Sequence, residues 1–380
     1  MKSPAHASGQ SVVVVAGESS GDGHGAMLIR ELKKLRPDIS TFGIGGNALK
    51  AEGTDLLFHA SQTNVTGFVE VVKKYGFFRN ILRTVVEEVR LRRPAFAILV
   101  DYPGFNLRLA KILREEGIPV FYYIAPQVWA WKEGRVETLK NCVDALAVLF
   151  PFEVDYFARH GITARFFGHP LVNRLAASEQ ERARQVSELK GDDPRPLIAW
   201  LPGSRPNELR RHLPVVLNTI TALGSDYRHV IARADTVHQE DLVHHLQSVV
   251  GVEVHDDSSV VLEAADAAVV KSGTSTVQAA LIGTPFCVIY RTSPASYMLG
   301  RMLAKVDSLA MVNLLAGKKI VREFLQGDCT AKNLEKELRD LLENSERETR
   351  MLSEFSDLKE MLREDNSYAR TAEFVAEQFL

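Results

Sequence analysis

SVVVVAGESSGDGHGA, residues 11–26, decides how the rest of the chain is read. Ser11–Ala16 is a short, almost unbroken apolar run. It lacks the alternation of a half-exposed strand, and it reads as a parallel strand covered on both faces. Gly17, Gly21 and Gly23 then allow tight backbone turns. From about Asp22 to Leu35 the pattern becomes that of an amphipathic helix. Strand, glycine-rich turn and helix are the opening of a β-α-β unit. The same alternation returns at Ala95–Val100, Val120–Ile124, Ala145–Leu149, Leu197–Leu201, Arg228–Ala232, Ala267–Val270 and Phe286–Tyr290, with helical stretches between. The expected class is α/β, with two Rossmann-like, doubly wound parallel sheets.

The alternation is interrupted once. SEQERARQVSELK (178–190) is charged and helix-forming, and it ends in the turn cluster GDDPRP (191–196), after which a new strand begins. This places one domain at 1–172 and a second at 173–380. The helical, charged C-terminal stretches KNLEKELRDLLEN and TAEFVAEQFL serve either as packing for the second domain or as a strap back onto the first. Ligands of such sheets bind beyond the C-terminal ends of the strands. The informative residues are therefore those just after each strand, facing a cleft between the domains.

Bulk properties exclude several classes. With 380 residues, 46% hydrophobic and 25% charged, the chain is an ordinary globular one and needs no disulfides to hold its cores. A formal net charge of −2 argues against nucleic acid as a partner. Three scattered cysteines form neither a metal spacing nor a disulfide framework, which suits a reducing cytoplasm. No apolar run approaches the roughly 20 residues that span a bilayer, and the polar start MKSPAHASGQ lacks the apolar region expected of a secretory leader.

Six motifs carry the chemistry. In AGESSGDGHGA (16–26), carboxylates at Glu18 and Asp22 would repel a pyrophosphate, so the loop suits sugar hydroxyls or an acceptor, with Ser19 and Ser20 at hand; the alternative is a plain strand–helix turn with Asp22 near the helix start. DYPGFN (101–106) puts Asp101 at the end of a strand, where a general base is well placed; otherwise it braces the turn made by Pro103 and Gly104. YIAPQVWAWKEGR (123–135) carries two tryptophans suited to a sugar or acyl pocket or to simple packing, and FGHP (167–170) closes the first half with a histidine that most simply is structural. LPGSRPNE (201–208) offers Gly203, Ser204 and Arg205 at a helix start, where backbone N–H groups and a guanidinium can hold phosphate. KSGTSTVQAALIGTP (271–285) offers Ser272, Gly273, Thr274 and Ser275 for close approach to a diphosphate, with Gln278 one turn further for ribose. NVTGFVEVVKKYGFFRNILR (64–83) interleaves apolar residues, including Phe77 and Phe78, with basic ones, as an interface-lying segment or acyl groove would; an ordinary core-facing helix has the same pattern.

Taken together, AGESSGDGHGA, GIGG (43–46), VTGFVEVV (65–72), DYPGFN, APQVWAWKEGR, FGHP, LPGSRPNE, SGTSTVQAAL and NLLAG (313–317) resemble the lipid-A-disaccharide synthase family. The blocks stand in the family's order over nearly the whole chain, and PQVWAW and PGSR are the most specific. The resemblance implies the GT-B architecture, two domains facing a central cleft, and an inverting hexosyl transfer in lipid A (lipopolysaccharide) biosynthesis. The donor it implies is UDP-2,3-diacylglucosamine and the acceptor 2,3-diacylglucosamine 1-phosphate; a β-1,6 bond forms and UDP leaves. It also implies a peripheral protein on the cytoplasmic face of the inner membrane, and nothing visible in the sequence calls for a metal or a cofactor.

The site assignment that follows is Asp101 as base, with Glu18 and Asp22 as the other catalytic candidates. Ser19, Ser20, Asn106, Gln127, Trp129, Phe77 and Phe78 are the candidates for substrate binding. Gly203, Ser204, Arg205, Ser272, Gly273, Thr274, Ser275, Gln278 and Asn313 are the candidates for UDP. Related sequences usually carry glutamate where Gln278 stands; glutamine still exchanges hydrogen bonds with ribose. Competing functions are another GT-B enzyme acting on UDP-N-acetylglucosamine (a 2-epimerase or a soluble-sugar transferase, neither needing acyl chains) and a non-catalytic lipid-binding module, which gives no reason for two phosphate-type loops. A nicotinamide dehydrogenase is disfavoured by the missing GxGxxG and ribose acid. The sequence leaves the oligomeric state open.

Overall fold

The structure is a computed structural model that describes residues 10–63, 75–130, 133–234, 249–303 and 307–380, together with Val237, Leu242 and Leu246. The described chain divides into two compact units, one running to Pro170 and taking in Glu364–Leu380, the other Leu171–Arg363. The final helix therefore belongs with the first unit.

The first unit is built on seven strands: β1 (Ser11–Ala16), β2 (Ser40–Gly45), β3 (Asp55–His59), β4 (Phe96–Val100), β5 (Val120–Tyr123), β6 (Ala145–Val148) and β7 (Ala164–Phe166). All run parallel, in the order β3-β2-β1-β4-β5-β6-β7. The period of two along β1 explains why its run is apolar throughout. Val13 and Val15 enter one core with Ile81, Val85, Leu109 and Leu113. Val12, Val14 and Ala16 enter another with Leu28, Leu32, Ala372 and Val375. The helix Ser367–Phe379 thus covers one face beside the helix Ser19–Leu35. It brings Phe379 onto Phe96 at 5.0 Å and Phe374 onto Phe121 at 6.1 Å between ring centroids.

The second unit has six parallel strands: β8 (Leu197–Leu201), β9 (Arg228–Ala232), β10 (Val252–His255), β11 (Ala267–Lys271), β12 (Phe286–Tyr290) and β13 (Glu323–Leu325), ordered β10-β9-β8-β11-β12-β13. In each sheet the order reverses beside the first strand, between β1 and β4 and between β8 and β11. That reversal point is where connections leave to opposite faces and where open sheets bind ligands. The register sets Ala16 against Val100 and Leu201 against Val270. The loops after β1 and β4, and those after β8 and β11, therefore lie side by side.

Candidate active site

In the first unit, the β1 and β4 loops bring Glu18 and Asp101 together. Asp101 and Tyr102 both adopt left-handed backbone angles, φ +43° and +49°. Such angles are uncommon for residues with a Cβ, and strain of this kind gathers at functional positions. The conformation is held from below. Tyr122, fully buried, donates its hydroxyl to the Asp101 carbonyl at 2.6 Å, and the Asn106 amide donates to the same oxygen at 2.7 Å. Gly17 is required opposite: a Cβ there would stand 2.3 Å from the Tyr102 ring. Burial raises the Asp101 carboxyl to about 6, the negative field of Glu18 adds to the rise, and the Tyr102 N–H opposes it. Asp101 is thus a carboxylate tuned toward neutrality, in the range of a useful general base.

Several other assignments change. Asp22 is not positioned as a base: it is buried and accepts from the N–H groups of Gly46, Ala48 and Leu49 at 2.6–3.2 Å, so it caps the helix Asn47–Ala51. Asn106 is wholly buried, and its amide nitrogen also reaches the Val15 and Val100 carbonyls. It ties β1 to β4 beneath Asp101 instead of meeting substrate. Ser20 is exposed beside Glu18 at the start of its helix. Ser19 opens the same helix.

Gln127 and Trp129 lie half-buried in the turn after β5. The Trp129 indole donates to Glu153 at 2.8 Å and meets Phe152 edge-on at 4.9 Å. Glu153, which also accepts from Leu149 and Phe150 N–H, is raised to about 7, chiefly by burial. Trp131 lies outside the described residues, as does 64–74 of the basic–apolar segment. Of its remainder, Phe78 and Leu82 pack on the core while Phe77 is 40% exposed. The paired reading of Phe77 and Phe78 therefore separates into one packing residue and one surface residue.

In the second unit, the loops after β8 and β11 meet. Gly203 has φ +135°, and a Cβ on it would lie 2.7 Å from the Glu208 side chain. Ser204 and Arg205 are exposed at the start of the helix Pro206–Leu223, and Ser272 to Ser275 open the helix Thr274–Ile282. The Ser204 N–H, a candidate for phosphate, is bonded to Glu208 Oε2 at 3.0 Å. Ser272 donates its hydroxyl to the Leu309 carbonyl at 2.8 Å. Gln278 is buried and donates to Ser258 and Ser259 at 3.0 and 2.8 Å, so it braces the neighbouring helix Ser258–Ala264. Asn313 is buried and fully engaged: it donates to the Val321 carbonyl and Glu323 and accepts from Ile320 and Val321 N–H. Its place is to fold the turn before β13, not to reach a nucleotide.

Three residues escaped the motif reading. Glu208 and Lys271 form an ion pair at 2.7 Å, each under 20% exposed. Both stand inside quoted motifs, but nothing in a linear spacing pairs a residue of the helix Pro206–Leu223 with the last residue of β11. His212 is wholly buried; its Nδ1 meets the Pro202 carbonyl at 2.7 Å, and its Nε2 accepts from Arg291 N–H at 2.8 Å. Burial, above all, lowers it to about 4, so it stays neutral and ties the β8 loop to the end of β12.

Fold and loop placement define a two-unit, Rossmann-like α/β protein of the GT-B kind. A family model described as Lipid-A-disaccharide synthetase matches residues 12–378. A lipid-A-disaccharide synthase of Myxococcus xanthus (strain DK1622) is 38% identical over 372 residues, 96% of this chain and 97% of that one. The lipid-A-disaccharide synthase 1 of Legionella pneumophila (strain Lens) is 38% identical, covering 92% and 93%. The chain belongs to the lipid-A-disaccharide synthetase family and is a glycosyltransferase.

Solved structures show the fold. They include a UDP-GlcNAc 2-epimerase from Neisseria meningitidis bound to UDP-GlcNAc (TM-score 0.63, 13% identity, 97% of this chain and 98% of that one) and the glycotransferase of kitacinnamycin (0.61, 18%, 98% and 99%). At those identities the first carries no argument for epimerase activity. Among the described residues, no helix is long and apolar enough to cross a membrane.

Proposed function

We propose that this chain joins two acylated glucosamines. The sugar of UDP-2,3-diacylglucosamine passes with inversion to the 6-hydroxyl of 2,3-diacylglucosamine 1-phosphate, giving a β-1,6 lipid A disaccharide 1-phosphate and UDP. The work is done at the cytoplasmic face of the inner membrane, where the protein is peripheral. The first unit takes the acceptor and lipid, and the second takes UDP. Asp101 accepts the 6-hydroxyl proton as the new bond forms. Glu18 beside it raises its basicity, and Ser19, Ser20, Gln127 and Trp129 supply contacts for the sugars. Arg205 and Ser272–Ser275 offset the charge that grows on the departing UDP.

The observation that carries this reading is the strained, half-buried Asp101 at the sheet's reversal point, its carboxyl raised to about 6 beside Glu18, in a chain of this family. The test is mass spectrometry of the product formed from the two diacylated substrates. A disaccharide 1-phosphate is expected from the intact chain, formed roughly 10²–10⁴-fold more slowly by Asp101→Asn. Equal product from both would end the assignment of Asp101. Turnover of non-acylated UDP-N-acetylglucosamine alone would favour a soluble-sugar enzyme.

A further inference from the structure

The Glu208–Lys271 pair lies at the centre of the second unit's two loops. Lys271 is the last residue of β11, and its Nζ is 2.7 Å from Glu208 Oε1. The same Nζ stands 3.7 Å from where a Cβ on Gly273 would be, so it lies against the backbone of the SGT loop. Glu208 bonds the β8 loop through the Ser204 N–H. Burial alone would push the Glu208 carboxyl up; the Lys271 ammonium, the Ser204 N–H and the field of Arg205 outweigh burial and hold it below its usual range. One carboxylate thus gathers a backbone N–H from one anion-type loop and the ammonium that rests on the other. Those are the donors a phosphate group takes at such loops.

We propose that Glu208 is an internal stand-in for the donor's diphosphate, and that Lys271 is a diphosphate ligand held ready by it. The inference rests on the reading that the second unit holds UDP. On binding, the nucleotide's phosphate replaces the Glu208 carboxylate at Lys271 and the Ser204 N–H, and Glu208 turns away. Until then the pair keeps a half-buried ammonium compensated and the loop N–H satisfied. The arrangement predicts opposite signs for the two partners: removing the cation removes a ligand, whereas removing the anion's charge removes a competitor.

Calorimetry on the full chain with UDP and UMP separates the possibilities. Lys271→Met should weaken UDP by about tenfold or more, the scale of a charged hydrogen bond, and UMP far less; Lys271→Arg should recover most of the loss. Glu208→Gln keeps an acceptor for Ser204 but no charge, and should tighten UDP severalfold with its melting temperature held. If Lys271→Met binds UDP like the parent, or Glu208→Gln weakens UDP as Lys271→Met does, the pair is a fixed brace and the inference fails. Arg205→Ala keeps that failure apart from failure of the underlying reading. UDP weakened by Arg205→Ala but not by Lys271→Met sinks the inference alone. UDP unchanged by both means the nucleotide is not held by these loops at all.

Discussion

Replacing Asp101 by asparagine should make the protein more stable and nearly inactive. Loss of a positioned base lowers turnover by roughly 10²–10⁴-fold. The stability effect has the opposite sign because the fold raises this carboxyl from its ordinary value near 4 to about 6. A raised acid stabilises the fold fully below pH 4 and loses that contribution as pH climbs through 6, so at neutral pH the ionised group is a burden. The gap between those values corresponds to at most about 3 kcal/mol. Asp101 is half-buried, so solvent screens part of this, and about 1–2 kcal/mol is expected. Asparagine also tolerates the left-handed backbone at this position well. In a unit of this size the melting temperature should rise by about 2–8 °C at pH 7.5 and match the parent at pH 4, where the native carboxyl is itself neutral. The parent's kcat should climb with pH to a plateau above about 6, and the residual rate of the variant should lack that limb. Turnover within tenfold of the parent, or a lower melting temperature at pH 7.5, would refute the reasoning.

Glu18→Gln removes the second cause of the raised Asp101 value and leaves burial in place, so the acid limb of the pH–rate profile should move below 6 without reaching 4; an unmoved limb contradicts the pairing. Asn106→Ala strips the carbonyls of Val15, Val100 and Asp101 of a buried donor and should cost about 1–3 kcal/mol, with kcat falling and the KM for the UDP donor unchanged. Phe78→Ser should lower stability by about 1–2 kcal/mol through lost packing. Phe77→Ser should stay within about 0.5 kcal/mol and instead reduce binding to anionic vesicles; flotation and thermal melts on both single variants decide it.

The strands at the centre of each sheet were legible because burial on both faces writes an unbroken Val/Ile/Leu run, as in β1, β4, β8 and β11. The outer strands were not. STFGIG in β2 carries glycines, DLLFH in β3 and VEVH in β10 mix polar residues at exposed positions, and ARF in β7 and EFL in β13 are too short for any period to register. The site divides in the same way. Asp101 and Glu18 could be read because each follows a recognisable strand and the reversal of strand order brings them together. Asp22, Asn106 and Asn313 have the residue types of ligand contacts, but what they chiefly bond is backbone: Asp22 at 24 to 27 positions away, Asn106 at 5, 6 and 91, and Asn313 at 7 and 8. Sequence spacing cannot tell a buried bolt from an open hand. Glu208 and Lys271, 63 residues apart, meet only because β8 and β11 are neighbours in the sheet.

The return of the helix Ser367–Phe379 to the first unit has a consequence for how the chain is made. Synthesis runs from the N-terminus and domains generally fold as they emerge, but here the first unit is finished last. Until its closing helix has been translated, after the whole of the second unit, the face that carries Phe96, Phe121 and Phe167 lacks Phe374 and Phe379. A nascent chain of this protein therefore presents an uncovered aromatic surface for as long as the ribosome takes to make its other half. At about 5–20 residues per second that is on the order of ten to forty seconds, a window in which a chaperone's grip, or a neighbouring nascent chain, competes with the chain's own tail.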